Sequence, residues 1–80
     1  MPRHQLTLPD LGIEGQTIVV SMWLVQQGSR VAEGEQVVEL LAGAVTVDLS
    51  TPVDGLLART LIAEDEPLST GQPLAVIESG

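Results

Sequence analysis

Apolar and polar residues alternate along several short stretches of the chain. In VTVDLS, residues 45–50, the apolar side chains of Val45, Val47 and Leu49 alternate with polar ones, which is typical of a strand with one buried face. The stretch TIVVSMWLV, residues 17–25, also alternates but is apolar on both sides. We therefore predict a strand there that runs through the middle of the domain, with a short amphipathic helix over 19–26 as the alternative.

Turn-forming residues separate these stretches at short intervals. They cluster in the segments PDLG, QQGSR, AEG, STPVDG and AEDEPLSTGQP, where glycine, proline, serine and aspartate favour turns. This spacing predicts about seven or eight short strands and an all-β fold, a sandwich or a flattened barrel. At this length, residues 1–80 are expected to form a single domain.

The second half of the chain repeats the apolar pattern of the first. A shift of 37 positions places residues 25–40 on residues 62–77 and aligns Gly34 with Gly71. Two similar halves can pair about a pseudo-twofold axis, each covering the apolar face of the other, which predicts two four-stranded antiparallel sheets packed face to face. The alternative is that the match only reflects valines recurring near turns, as in any β-rich chain.

Composition and charge exclude several classes of partner. Eleven carboxylates against three arginines give a net charge of −8, which repels nucleic acid and anionic membrane surfaces. Trp23 is the single aromatic residue, so bases have no stacking platform. There is no cysteine, and no apolar run approaches the length of about 20 residues that spans a membrane. We expect a cytoplasmic protein without a nucleic-acid or membrane partner.

Neither a catalytic centre nor a metal site is predicted. His4 is the only histidine and has no cysteine or second histidine to join it at a metal. The carboxylates of residues 64–66, together with Glu33, Glu35 and Glu39, lack the spacing of a calcium loop. We interpret these groups as solvated side chains at turns.

Four segments in this order and spacing carry a family resemblance: LPDLGIEGQTIV, WLVQQGSRVAEGEQVVELL, TVDLSTPVDGLL and GQPLAVI. Over roughly residues 6–77, the chain resembles the lipoyl domain of 2-oxo acid dehydrogenase acyltransferases and the related biotinyl domains. The resemblance implies a flattened β-barrel of two four-stranded sheets, with both chain ends at one extremity and a central hairpin at the other. In that family the hairpin presents a lysine that is joined to lipoate through an amide.

The resemblance fails at this functional position. Counting back from PVDG, the lysine position falls on Ala44, with Gly43 in place of the family's aspartate and Val45 after it. The methionines that flank the lysine of biotinyl domains are absent as well, and the chain contains no lysine at all. Because amide formation requires an amine nucleophile, we predict a chain that carries no cofactor. Since no nucleophile, base and orienting acid can be assembled from its residues either, we expect that it is not itself an enzyme.

Six consecutive apolar residues, 40–45, span the predicted hairpin tip. In one interpretation, Leu40 and Val45 are buried at strand ends and only the residues between them are exposed. In the other, the tip is a contact surface for a protein partner, for a parent multienzyme complex or for a second copy of the chain. The residues predicted to form that surface are Leu41, Ala42, Gly43 and Ala44.

These observations predict a protein-interaction or structural module with a lipoyl-type fold. The alternative is a lipoyl domain of a 2-oxo acid dehydrogenase acyltransferase, or a biotinyl domain of a carboxylase, whose carrier site has been removed or lost. Because the whole segment LAGAV departs from the family pattern, natural divergence or replacement of the loop explains it better than a single substitution of lysine.

Overall fold

The computed structural model describes residues 2–12 and 15–79, and its secondary structure consists of eight strands, as the spacing of the turn segments predicted. The strands, in chain order, are β1 (Arg3–Thr7), β2 (Ile18–Trp23), β3 (Arg30–Val31), β4 (Gln36–Ala42), β5 (Val45–Ser50), β6 (Gly55–Thr60), β7 (Pro67–Leu68) and β8 (Pro73–Glu78). No helix occurs in the described residues. The alternative of a helix over 19–26 is therefore wrong, because most of that stretch belongs to β2.

The strands form two four-stranded antiparallel sheets that pack face to face. Sheet A has the order β1-β8-β6-β3 and sheet B the order β5-β4-β2-β7. The two sheets do not close into a continuous barrel, so the fold is a sandwich. Strand β2 lies between β4 and β7, which confirms its predicted place in the middle of a sheet.

The core lies between the two sheets and is aliphatic. Its fully enclosed side chains come from facing strands of both sheets, and they are Val20, Val37, Val38, Leu40, Leu57, Leu74, Ala75 and Ile77. Trp23 packs against this core from one side, and its indole Nε1 donates a hydrogen bond to the carbonyl oxygen of Ile62 at 2.9 Å. The only aromatic side chain thus has its polar atom satisfied where it is partly buried.

A β-bulge in β2 changes which residues face the core. The register against β4 shifts between Val20 and Met22, so one additional residue is accommodated and the alternation changes phase. Uninterrupted alternation over residues 17–25, as the sequence predicted, would place Met22 and Leu24 on the same side as Ile18 and Val20. That prediction is wrong, because beyond the bulge Met22 and Leu24 are 46% and 41% exposed.

Matching hydrogen bonds confirm the pseudo-twofold symmetry that the repeat predicted. The amide of Leu24 donates to the carbonyl of Val37 at 2.9 Å, and 37 positions later the amide of Leu61 donates to the carbonyl of Leu74 at 2.9 Å. The strand order of one sheet becomes that of the other when each strand is exchanged with its counterpart: β1 with β5, β2 with β6, β3 with β7 and β4 with β8. The bulge recurs too, between residues 57 and 59 of β6.

The repeat also relates two residues in left-handed backbone conformation. Gly28 has a φ of +95° and donates its amide to the carbonyl of Leu57 at 2.7 Å. Its counterpart Asp65 has a φ of +69° and donates to the carbonyl of Val20 at 2.8 Å. Among the described residues, Asp65 is the only non-glycine with a positive φ. Aspartate tolerates this region better than most residues, because its short side chain can bond to nearby backbone.

This correspondence predicts which substitutions position 28 accepts. An added Cβ at Gly28 would meet no atom within 4 Å, so the cost comes from backbone strain alone. We expect Gly28→Asp to lower the free energy of unfolding by about 1 kcal/mol and Gly28→Val by about 2–3 kcal/mol. Urea unfolding of both variants measures the difference, and equal losses would contradict the proposed equivalence of residues 28 and 65.

The molecule is elongated, with Pro2 and Ser79 at one extremity and the β4–β5 turn at the other. Its principal extents are 38 × 19 × 19 Å. At the end of the β1–β8 pair, the amide of Ser79 donates to the carbonyl of Pro2 at 3.0 Å. Strand β5 leads away from the β4–β5 turn and ends at Ser50, and after four intervening residues β6 begins beside Glu78, at the end that holds Pro2 and Ser79. The turn is thereby presented at one end of the sandwich, away from the termini.

Candidate functional site

The turn between β4 and β5 contains two residues, Gly43 and Ala44. Ala42 and Val45 form the last cross-strand pair before the turn. Gly43 has a φ of +62°, whereas the φ of Ala44 is not positive. A glycine with positive φ followed by a residue with ordinary φ is the pattern of a type II′ hairpin turn, which suits the twist of the flanking strands. Position 43 therefore favours glycine, while position 44 accepts any side chain that projects into solvent.

Gln16 covers one side of the turn. A Cβ added at Gly43 would collide with the side-chain Oε1 of Gln16 and lie 3.0 Å from its Cδ. The polar amide of Gln16 thus lies against the backbone of an otherwise apolar turn. Nothing in the hydrophobic pattern predicted this contact, because residue 16 precedes β2 and reaches the turn only through the fold.

Burial at the tip differs from both interpretations made from the sequence. Leu40 and Ala42 point inward and are 0% and 2% exposed, whereas Leu41 is 37% exposed. Val45 is 56% exposed, so its predicted burial is wrong. Val45 is the first residue of β5, so it lies both on an edge strand and at the end of that strand, whereas Leu49 farther along β5 is only 9% exposed. The assignment of Ala42 to a contact surface is also wrong, because alternation along β4 turns its side chain into the core.

We define the tip surface as Leu41, Gly43, Ala44 and Val45, which are all exposed. It contains no amine, hydroxyl, thiol or carboxylate in its side chains. No pocket forms in the part of the chain that the structure describes. The tip surface can therefore offer apolar contact area but no nucleophile and no metal ligand.

The other groups considered for chemistry lie at turns or on strands, with Glu39 in the middle of β4 and His4 near the start of β1. The carboxylates of Glu35 and Glu66 accept hydrogen bonds from the amides of Ala32 and Ala63 at 3.0 and 2.9 Å, so each closes a local turn. His4 lies exposed on β1, opposite Ile77. Within residues 2–12 and 15–79, no three acidic or histidine side chains approach closely enough to hold a metal ion.

Comparison with known proteins identifies the family. The profile of the biotin–lipoyl family, described as "Biotin-requiring enzyme", matches residues 4–77. The chain belongs to the biotin–lipoyl family. The family resemblance found in the sequence is thus confirmed over almost the whole domain.

Several curated relatives of this biotin–lipoyl domain are acyltransferase components. It is 31% identical over 77 residues to the dihydrolipoyllysine-residue acetyltransferase component of the acetoin cleaving system of Pseudomonas putida, covering 96% of this chain and 21% of that protein. It is 30% identical to the dihydrolipoyllysine-residue succinyltransferase component of the 2-oxoglutarate dehydrogenase complex of Staphylococcus saprophyticus, covering 95% of this chain and 18% of that protein. The chain spans about a fifth of the length of these relatives.

The names of these relatives contain a residue type that is absent from this biotin–lipoyl domain. Both refer to a dihydrolipoyllysine residue, whereas this chain has no lysine. At the exposed turn the structure places Gly43 and Ala44. The domain therefore shares the family fold but has no lysine ε-amine at its turn.

Proposed function

We propose that this domain carries neither lipoate nor biotin and acts as a protein-interaction or structural module. The observation behind the proposal is the side-chain chemistry of the β4–β5 turn, where Gly43 and Ala44 stand in a chain without lysine. An amide to lipoate or biotin forms by attack of an amine, and the methyl group of Ala44 has no lone pair to attack with. Neighbouring Thr46 offers only a hydroxyl, which would form an ester instead.

The proposal places the domain in a larger acyltransferase component of a multienzyme complex. Its relatives are much longer acyltransferase components, of which it matches about a fifth. A domain of this kind that lost its carrier lysine would keep its position in the assembly without moving acyl groups.

The described residues contain no helix long and apolar enough to cross a membrane. We place the domain in the cytoplasm.

The tip surface is the proposed contact with a protein partner. Leu41 is 37% exposed and Val45 is 56% exposed. A partner that covered both would bury this remaining exposed area of the two aliphatic side chains. Full burial of such a side chain is worth about 1.5–3 kcal/mol, and the exposed fractions correspond to about 1 kcal/mol each. This contribution is modest, and it suits a contact made within an assembly where the partners are already close together.

Intact-mass spectrometry tests whether the domain is a carrier. The chain is produced in cells that contain lipoate and biotin ligases, alongside a lipoyl domain that bears a turn lysine as the control. We expect the control to gain the mass of its cofactor and this chain to keep the mass of its sequence. A fraction of the chain with the added mass of a lipoyl or biotinyl group would overturn the proposal.

A further inference from the structure

All three cationic side chains of this acidic domain lie on the outer face of sheet A. One cross-strand row runs through Arg30, Leu56, Glu78 and Arg3, each paired with the next. Directly paired residues point to the same side of a sheet, and the rows on the other side contain the buried residues. Arg3 lies 3.5 Å from the carboxylate of Glu78, measured from Nε to Oε2, so its charge is partly compensated.

The neighbouring row on the same face adds the third arginine. It consists of Arg59, Val76 and Gln5, with Arg59 and Gln5 exposed. Among the described residues, neither Arg30 nor Arg59 has a carboxylate within salt-bridge distance. We call residues 3, 30, 56, 59, 76 and 78 the arginine face, and it bears three positive charges against one negative charge.

The pseudo-twofold relates this surface to the outer face of sheet B, which has the opposite charge. There, the equivalent row contains Met22, Glu39 and Asp48. The adjacent row contains exposed Leu41, with Val19 and Thr46 on either side of it. We call these six residues the acidic face. It bears two carboxylates and no cation, and both faces expose aliphatic side chains beside their charges.

We propose that the arginine face of one copy docks on the acidic face of a second copy of this chain. The charges are complementary, and Arg30 and Arg59 of one copy would find carboxylates in Glu39 and Asp48 of the other. Aliphatic groups lie beside the charges on both faces, so docking also covers apolar surface. Such complementarity fixes the orientation of a complex and excludes the reverse arrangement, in which two arginine faces meet.

The size of the faces limits the strength of this contact. The molecule measures 38 Å by 19 Å, so one flat face offers at most about 700 Å², less than the roughly 800 Å² that each partner contributes to a standard stable interface. The overall charge of −8 on each copy opposes association at long range. The pairing is therefore weak, and it operates where copies are concentrated by a shared assembly.

Because the two contacting faces differ, each docked pair retains one free face of each kind, which allows short open chains.

Sedimentation at increasing protein concentration tests the pairing. We expect the native chain to self-associate at low salt of about 100 mM, where a screening length of about 10 Å weakens the net repulsion between copies but not the pairing of charges in contact, and salt of about 1 M to weaken the faces' attraction as the screening length falls to about 3 Å. The double variant Arg30→Gln/Arg59→Gln should associate about tenfold more weakly, the equivalent of about 1.4 kcal/mol. Association that is absent at low salt would overturn the proposal.

Charge-matched variants separate the faces from general repulsion. Gln26→Glu/Thr70→Glu adds the same negative charge at turns outside both faces and should leave most of the association intact. Glu39→Gln/Asp48→Asn reduces the net charge from −8 to −6, which lowers the repulsion between copies. We nevertheless expect this variant to associate about tenfold more weakly. If that variant associates more strongly than the native chain, net repulsion governs the behaviour and the proposal fails.

Mixing provides the most direct comparison. The variant without Arg30 and Arg59 retains an acidic face, and the variant without Glu39 and Asp48 retains an arginine face. Each should associate with itself about tenfold more weakly than the native chain, but an equimolar mixture should form pairs as strong as those of the native chain. A mixture that sediments as the sum of its components overturns the docking arrangement. Val45→Asp changes the tip outside both faces, so it should leave pairing unchanged. If this variant no longer pairs, self-association is made by the tip surface instead.

Discussion

Replacing Leu40 with alanine is expected to lower the free energy of unfolding by about 2–5 kcal/mol. Leu40 is fully enclosed and pairs across the sheet with Val20 and Val47. Truncation removes its aliphatic contacts and leaves a cavity between two sheets that are held apart by their other side chains. A domain of this length is stable by only about 4–12 kcal/mol, so a large part of the total is lost.

The next residue is the matched control for that experiment. Leu41 has the same side chain on the same strand, but it lies on the outer face and is 37% exposed. We expect Leu41→Ala to cost less than about 1 kcal/mol. Urea unfolding followed by the fluorescence of Trp23 measures both variants. Similar losses at the two positions would show that the inward and outward faces of β4 are assigned incorrectly.

Placing a lysine at position 44 is expected to turn the domain into a substrate for lipoate ligase. Ala44 is exposed in a two-residue turn and has an ordinary φ, so a lysine fits without backbone strain and extends its ε-amine into solvent. The effect is all-or-none, because the native chain has no side-chain amine. Intact mass after co-expression with the ligase measures the outcome for Ala44→Lys.

Two further variants make this result specific to the turn. Thr46→Lys presents an equally exposed amine two residues away on β5, and we expect it to stay unmodified. Gly43→Asp/Ala44→Lys/Val45→Ala restores the family's full pattern, at the cost of strain and a collision with Gln16 at position 43. If neither lysine-44 variant gains lipoyl mass while both remain folded, Ala44 does not occupy the attachment position.

The sequence was sufficient to predict the strands, the two sheets and the repeat. Alternation and turn residues are local signals, and the spacing of Gly34 and Gly71 is visible without a structure. The bulges were not predictable in this way. A bulge inserts one residue without a distinctive residue type, so the outward position of Met22 depends on pairing with β4 that only the folded sheet reveals.

At the candidate site, the sequence located the turn but not which of its side chains are exposed. The phase of β4 places Ala42 inside, whereas Val45 is exposed because it begins an edge strand at the end of the sheet. Edge position is a property of the strand order and not of residues 40–45. The arginine face was also invisible, since Arg3, Arg30 and Arg59 are far apart in the chain and become neighbours only through sheet A.

The exchange of strands between halves has a consequence for how the domain folds. Sheet A takes β1 and β3 from the first half and β6 and β8 from the second, and sheet B divides in the same way. A fragment ending at Gly43, just after β4, would contain two strands of each sheet and no complete sheet, so much of its apolar surface would stay uncovered. Neither half can therefore fold as an independent unit. The chain must fold in one cooperative event that requires contacts between residues far apart in the sequence.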